Sequence, residues 1–319
     1  MDINTISFPG LGIGDFKLNE VALSLFDGAL TIRWYAIFIC IGIVLAYWYF
    51  LRHATKHEGL SEDTMINLVL FLIPIAVIGA RLLYVLTDDV KQETFLDVIA
   101  VWQGGLAIYG AIIFGLLTAL IFCAITKTNI LKVLDSLAPA VMIGQIIGRW
   151  GNFVNGEAYG YSEGVENLPW RMIVNGTATH PTFLYESLWN LIGFLIINRI
   201  YKSKKFNGQI FALYIAWYGF GRAWIEFLRT DSLYVGSLKL MVVLGFTCFA
   251  AGIILYIILN ARKHKDESEL DEYIKTRHEA VSADNTPINE TSSDAADEAT
   301  EQDNTIKTDI GDINDSNNN

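Results

Sequence analysis

A chain of 319 residues of which 52% are apolar, with a positive mean hydropathy, is too oily for a soluble protein of this length and points to several membrane crossings. The net charge of −11 does not describe the body: residues 266 to 319 carry sixteen Asp and Glu against three Lys and Arg, a charge of −13, which leaves the remainder at +2. Nothing in this balance calls for nucleic acid, and Cys40, Cys123 and Cys248, each inside an apolar run, form neither a disulfide framework nor a zinc site.

Residues 1–33 lack the charged start, short apolar core and small-residue cleavage site of a signal peptide, so they form an outer segment and the first apolar run stays as an anchor. Runs long enough to cross a bilayer of about 30 Å lie near 34–51, 64–87, 104–126, 131–148, 183–200, 209–228 and 238–260. Basic residues follow the first run (Arg52, Lys56), the third (Lys127, Lys132), the fifth (Arg199, Lys202, Lys204, Lys205) and the seventh (Arg262, Lys263, Lys265). With seven spans all four clusters share one side, which the positive-inside rule makes the cytoplasm. The N-terminus and loops 88–103, 149–182 and 229–237 are then outside. The expected fold is an all-α polytopic membrane protein: a membrane domain over 34–262, a small outer cap formed by loop 149–182 itself, and an acidic cytoplasmic tail over 263–319. That tail has too little apolar surface to offset its ordering entropy and is expected to be disordered.

The stretch Gly148-Arg149-Trp150-Gly151-Asn152-Phe153-Val154-Asn155-Gly156-Glu157 sets a permanent cation, two amides and a carboxylate at the expected end of the fourth run. A guanidinium at the edge of hydrocarbon costs roughly 2.5 kcal/mol or more unless an anion or carboxylate meets it. Arg149 therefore needs a partner, and a phosphate is a natural one; the plainer reading is a helix-ending turn whose arginine snorkels to headgroups.

The sixth run closes with Arg222, Glu226 and Arg229, four and three residues apart, on one helical face. They are either a self-contained ion pair with a surplus arginine or a second cationic group beside Arg149. Tyr35 stands at the outer end of the first run. Arg81 lies inside the second, where it either snorkels or pairs with a carboxylate such as Glu186. Gly104-Gly105 opens the third run, permits close helix packing and brings the Tyr109 hydroxyl into the interior. His53 and His57 are four apart with no third ligand nearby, a poor metal site.

These motifs, Arg33-Trp34-Tyr35, Gly79-Ala80-Arg81, Gly104-Gly105, Gly148 to Glu157, His180-Pro181-x-x-Leu-Tyr-Glu186 and Gly221-Arg222-x-x-x-Glu226-x-x-Arg229, make the chain from about 25 to about 260 resemble the bacterial prolipoprotein diacylglyceryl transferase family. The resemblance implies a seven-span plasma-membrane enzyme that needs no cofactor or metal. Such an enzyme moves the diacylglyceryl group of phosphatidylglycerol onto the lipobox cysteine of a preprolipoprotein signal peptide. It implies catalytic work for Tyr109, Arg149, Arg222 and Glu226, and headgroup binding by Tyr35, Arg149, Asn152, Glu157, Arg222 and Arg229. Many members carry histidine where this chain has Tyr109, so that position serves either as base or as phosphate-positioning group.

Two other classes remain open from the residues alone. An anionic-lipid transporter or flippase would spread its charges through the membrane depth, whereas here they gather at the outer ends, Arg81 apart. A non-catalytic lipid-binding protein would accept lysine in place of Arg149.

Overall fold

The computed structural model describes residues 3–25, 30–87, 99–101, 104–230, 234–235 and 238–284. Seven long helices follow in chain order: α1 (Trp34–Lys56), α2 (Glu62–Thr87), α3 (Ile108–Thr126), α4 (Ile130–Val154), α5 (Thr182–Tyr201), α6 (Gln209–Glu226) and α7 (Leu240–Asp284). Five of them, α1 to α4 and α7, are long and apolar enough to cross a membrane, rather than the seven expected. The other two lie where spans were predicted, but Glu186, Asn190, Asn198 and Arg199 in α5, and Gln209, Arg222 and Glu226 in α6, dilute their hydropathy.

The chain divides into two units, Met1–Leu259 and Asn260–Asn319. In the first, α1 packs on α4, α2 on α3, and α4 on both α5 and α6, which also pack on each other. Tyr49, Phe50, Met65, Leu68, Cys123 and Val133 form one buried cluster of this bundle. Small residues bring α6 and α7 to backbone contact: a Cβ on Gly245 would stand 2.8 Å from the Ala223 amide, and one on Gly252 would stand 2.5 Å from that of Ala216. Without a hydrophobic drive between helices in lipid, such seams supply the van der Waals contact that holds them. Between α5 and α6, Trp189 and Trp217 stack with centroids 4.4 Å apart, and each indole N–H donates to the other's carbonyl at 3.1 and 3.0 Å.

Away from the cap, Lys204 donates to both Glu58 carboxylate oxygens, at 2.6 and 2.5 Å, and to Asp135 Oδ2 at 3.2 Å. Asp135, fully buried, also accepts from the amides of Gly208 and Phe211 at 2.7 and 2.9 Å, so it satisfies the start of α6 as well as an ammonium. A buried carboxylate without these donors would be strongly destabilising.

The cap is not built from loop 149–182 alone. Strands β1 (Ile3–Phe8) and β2 (Ile13–Asn19) join β5 (Met172–Val174) and β6 (Thr177–Thr179) in one antiparallel sheet of order β2-β1-β5-β6, with Ile6 opposite Val174. Hairpins β3 (Val21–Leu25) with β4 (Leu30–Arg33), and β7 (Tyr234–Val235) with β8 (Leu238–Lys239), complete the strands among the described residues, where the membrane part is all helix. Ile6, Phe8, Met172, Val174 and Phe183 bury one face of the cap against the start of α5. Loop 149–182 has too few apolar residues to close a core, and the N-terminal segment supplies the rest.

Two further expectations change. The third helix begins at Ile108, because Gly104 and Gly105 take φ of +87° and +66°, left-handed values that end regular helix. In the second unit α7 continues to Asp284, so the tail expected to be disordered from 263 is helical over its first part; Lys265 and Glu269 pair one turn apart at 3.4 Å on a solvated face. Residues 285–319, and most of loops 88–103 and 229–237, lie outside the described residues.

Candidate functional site

Arg149 does not follow a helix but sits within one: α4 continues to Val154, and the Asn155 amide still donates to the Gly151 carbonyl at 3.1 Å. Gly151 lies inside this helix and must lack a side chain, since a Cβ there would stand 2.5 Å from the Tyr35 ring. That fit lays Tyr35, from the first turn of α1, across α4 half a turn from Arg149 and within the fields of Arg149 and Glu157. Asn152 accepts from Arg149 Nη1 at 3.3 Å and donates to Glu157 Oε1 at 3.0 Å, and Asn155 donates to the same oxygen at 3.2 Å. The Gly156 turn after α4, at φ +60°, carries Glu157 back over the helix end.

Glu186 is the hub that sequence reasoning missed. Expected only as a possible partner of Arg81, it instead pairs with Arg149 at 2.5 Å, Arg222 at 3.1 Å and Arg229 at 2.9 Å. Glu226 holds the other side of Arg222 at 2.7 Å and approaches Arg229 at 3.8 Å. Among the described residues, three guanidiniums from α4, α6 and the turn after α6 thus share the two buried carboxylates of Glu186 and Glu226. Arg149 keeps the most exposure, 25% of its side chain, against 16% for Arg222 and 8% for Arg229, and Glu186 and Glu226 lie beneath the arginines.

Arg81 is apart from this group: buried, it donates to the Gly104 and Gly105 carbonyls at 2.8 and 3.1 Å and lies over the Tyr84 ring. The two glycines therefore serve as a carbonyl nest for a buried arginine. Tyr109, in the first turn of α3, contacts Met241 through its hydroxyl and lies within the fields of Arg222 and Glu226. Tyr218, one turn before Arg222, lies within the fields of Arg222, Glu186, Arg149 and Tyr109; its position four residues ahead of Arg222 on the same stripe was the available signal. In the cap, the His180 imidazole meets the Tyr185 hydroxyl at 3.2 Å, and burial pushes its pKa below the usual value, favouring the neutral ring.

All the sequence-predicted site residues except Tyr35 and Tyr109 are joined by these hydrogen bonds and ion pairs, and those two are brought alongside. The fold and the site define a polytopic membrane protein with a cluster of arginines and buried carboxylates at the cap end of its helix bundle. The family model for prolipoprotein diacylglyceryl transferase matches residues 20–258. A phosphatidylglycerol–prolipoprotein diacylglyceryl transferase of Finegoldia magna is 42% identical over 242 residues, 75% of this chain and 95% of the relative. One from Lysinibacillus sphaericus is 46% identical over 70% of this chain and 85% of the relative, and one from Listeria innocua 38% identical over 77% and 92%. The chain belongs to the prolipoprotein diacylglyceryl transferase family.

Proposed function

We propose that this protein transfers the diacylglyceryl group of phosphatidylglycerol to the thiol of a lipobox cysteine, forming a thioether and releasing glycerol 1-phosphate. The observation that carries the chemistry is the trio of arginines gathered on Glu186 and Glu226. The cysteine sulfur attacks the diacylglyceryl carbon bonded to phosphate oxygen; that carbon–oxygen bond breaks, and the electron pair leaves on the phosphate. Negative charge therefore builds on the leaving oxygen, where Arg149 and Arg222 stabilise it more in the transition state than in the ground state. Fixed guanidiniums on packed helices need no reorganisation at that moment.

Glu226 holds Arg222 in orientation, and Glu186 keeps three like charges within reach of one phosphate. Tyr35, Asn152 and Glu157 orient the headgroup glycerol, with Arg229 completing the cationic wall. The thiol loses its proton to solvent at the cap end, and its pKa, about 8.5 when free, is lowered beside the guanidiniums of Arg149 and Arg222. Tyr109 then positions the phosphate rather than acting as base, because a phenol, with a reference pKa of about 10, keeps its proton at neutral pH and cannot take one from the thiol. The seven helices span the membrane seven times, with the N-terminus and cap outside and the end of α7 in the cytoplasm. The four basic clusters and the alternation of the helices support this arrangement.

Purified protein in detergent, given phosphatidylglycerol and a lipobox peptide, should yield a peptide carrying thioether-linked diacylglycerol by mass spectrometry. Replacing the peptide cysteine by serine should abolish it. Folded protein that makes no such product would refute the proposal.

A further inference from the structure

The turn that carries Arg229 is held from a direction that neither the motif nor the family resemblance marks. Lys239, at the end of β8, extends its ammonium to the carbonyls of Glu226, Phe227 and Arg229 at 3.0, 3.4 and 3.2 Å. These are carbonyls of the last turn of α6 and its continuation, where intrahelical donors run out; that of Glu226 also accepts from the Arg229 amide at 3.2 Å. The same ammonium lies 4.9 Å from the centre of the Tyr161 ring. Tyr161 is itself bound to that turn, its amide donating to Leu228 O at 2.8 Å, and Gly160 pairs as a bridge with Arg229 while its amide donates to His180 O at 2.9 Å. A Cβ on Gly160 would stand 2.5 Å from the Leu228 carbonyl, so this close approach to the turn admits no side chain.

The last turn of α6 is therefore pinned by two ties that meet at Tyr161, the cap segment at 160–161 and one ammonium from the segment leading into α7. That turn presents Glu226 to Arg222 and Arg229 to Glu186. We infer that Lys239 is a positioning residue for the transferase: by gathering the three carbonyls it fixes Glu226 and Arg229, and through them the orientation of Arg222 toward the leaving phosphate. The inference rests on the transferase reading given above. Lys239 does not touch the substrate; it acts through the backbone that holds the residues that do. A helix C-terminus favours a cation, so charge and hydrogen bonding act in the same sense here.

The test uses the full-length protein in the lipobox-peptide assay, with Lys239→Met, Lys239→Gln and Lys239→Arg alongside wild type. Wild-type activity establishes the transferase reading separately, so a failure of that reading is seen before any variant is compared. Lys239→Met should lower kcat about tenfold or more while the KM for phosphatidylglycerol changes less than about threefold, the signature of an interaction expressed in the transition state. Lys239→Arg, which can donate to the same carbonyls, should recover most of that loss, and Lys239→Gln should fall between. In a double-mutant cycle the loss from Lys239→Met should largely vanish in an Arg229→Lys background, because both changes disable one element. Wild-type-like kcat in folded Lys239→Met, strictly additive effects in the cycle, or failure of all three variants to accumulate as folded protein would each overturn the inference, the last by showing a general stability role.

Discussion

Arg149 is the residue on which two readings of the site diverge most sharply. Binding a phosphate needs charge, and an ammonium supplies it; stabilising the phosphate while also holding Glu186 and Asn152 needs the planar fork with its several donors. Arg149→Lys should therefore insert and fold normally yet lose roughly a hundredfold in turnover, on the scale of removing one transition-state donor, as read by the mass-spectrometric assay. Tyr109 is decided by magnitude in the opposite sense. A lost general base costs about a hundredfold to ten-thousandfold, whereas a lost positioning hydroxyl costs less. Tyr109→Phe is expected to lower turnover about tenfold and to leave the pH dependence of kcat/KM unmoved; a larger loss with a lost basic limb would assign it the proton.

Much of this residue-level picture was legible in the sequence. Ionisable side chains inside apolar runs are so costly that Arg149, Arg222, Glu226 and Arg229 announced themselves. Glu186 did not, because a carboxylate at the head of an apolar run has several possible arginine partners, and spacing within one helix cannot say which of the others faces it. Lys239 was invisible for a related reason: its partners are backbone carbonyls, which every sequence has.

At the scale of the helices, the α5–α6 pair carries both carboxylates and Arg222, and its register is set by the reciprocal tryptophans. Gly193 lies flush with the Trp217 indole and Gly221 with that of Trp189, each so close that a Cβ would overlap the ring nitrogen. The rings cannot yield, since each is stacked on the other and hydrogen-bonded. Gly193→Ala is expected to destabilise by about 1 to 3 kcal/mol, the usual range for overpacking, seen as a lower melting temperature in detergent, whereas Gly148→Ala, which meets open space, should leave melting unchanged. The sequence placed these helices well but erred at their ends. Gly151 and Gly104 are both glycines beside polar residues, and local pattern could not reveal that the first lies within α4 against Tyr35 while the second stands outside α3 in a left-handed turn.

For the molecule as a whole, the arrangement of seven spans makes a direct demand on accessibility. With Cys40 replaced by serine, an impermeant thiol reagent applied to intact cells should label Glu166→Cys in the cap and leave Lys202→Cys unlabelled until the membrane is opened. Labelling of both or neither would break the seven-span order. The family match ends at residue 258 and the groups proposed as catalytic all lie before it. Removal of residues 285–319 should then leave transferase activity within about twofold, as expected for a terminus outside the catalytic domain.

The cap sheet also bears on how the protein is made. β1 finds its partner β5 only about 170 residues further along the chain, after four long helices have been laid down between them. At ribosomal rates that is a wait of roughly ten to thirty seconds, during which β1 has only β2 to pair with and its other edge is open. The nascent N-terminus must be kept from pairing elsewhere until the segment following α4 emerges on the same side. Assembly of the cap is thus a late checkpoint, and chains halted before that segment would be embedded with the outer edge of β1 unpaired.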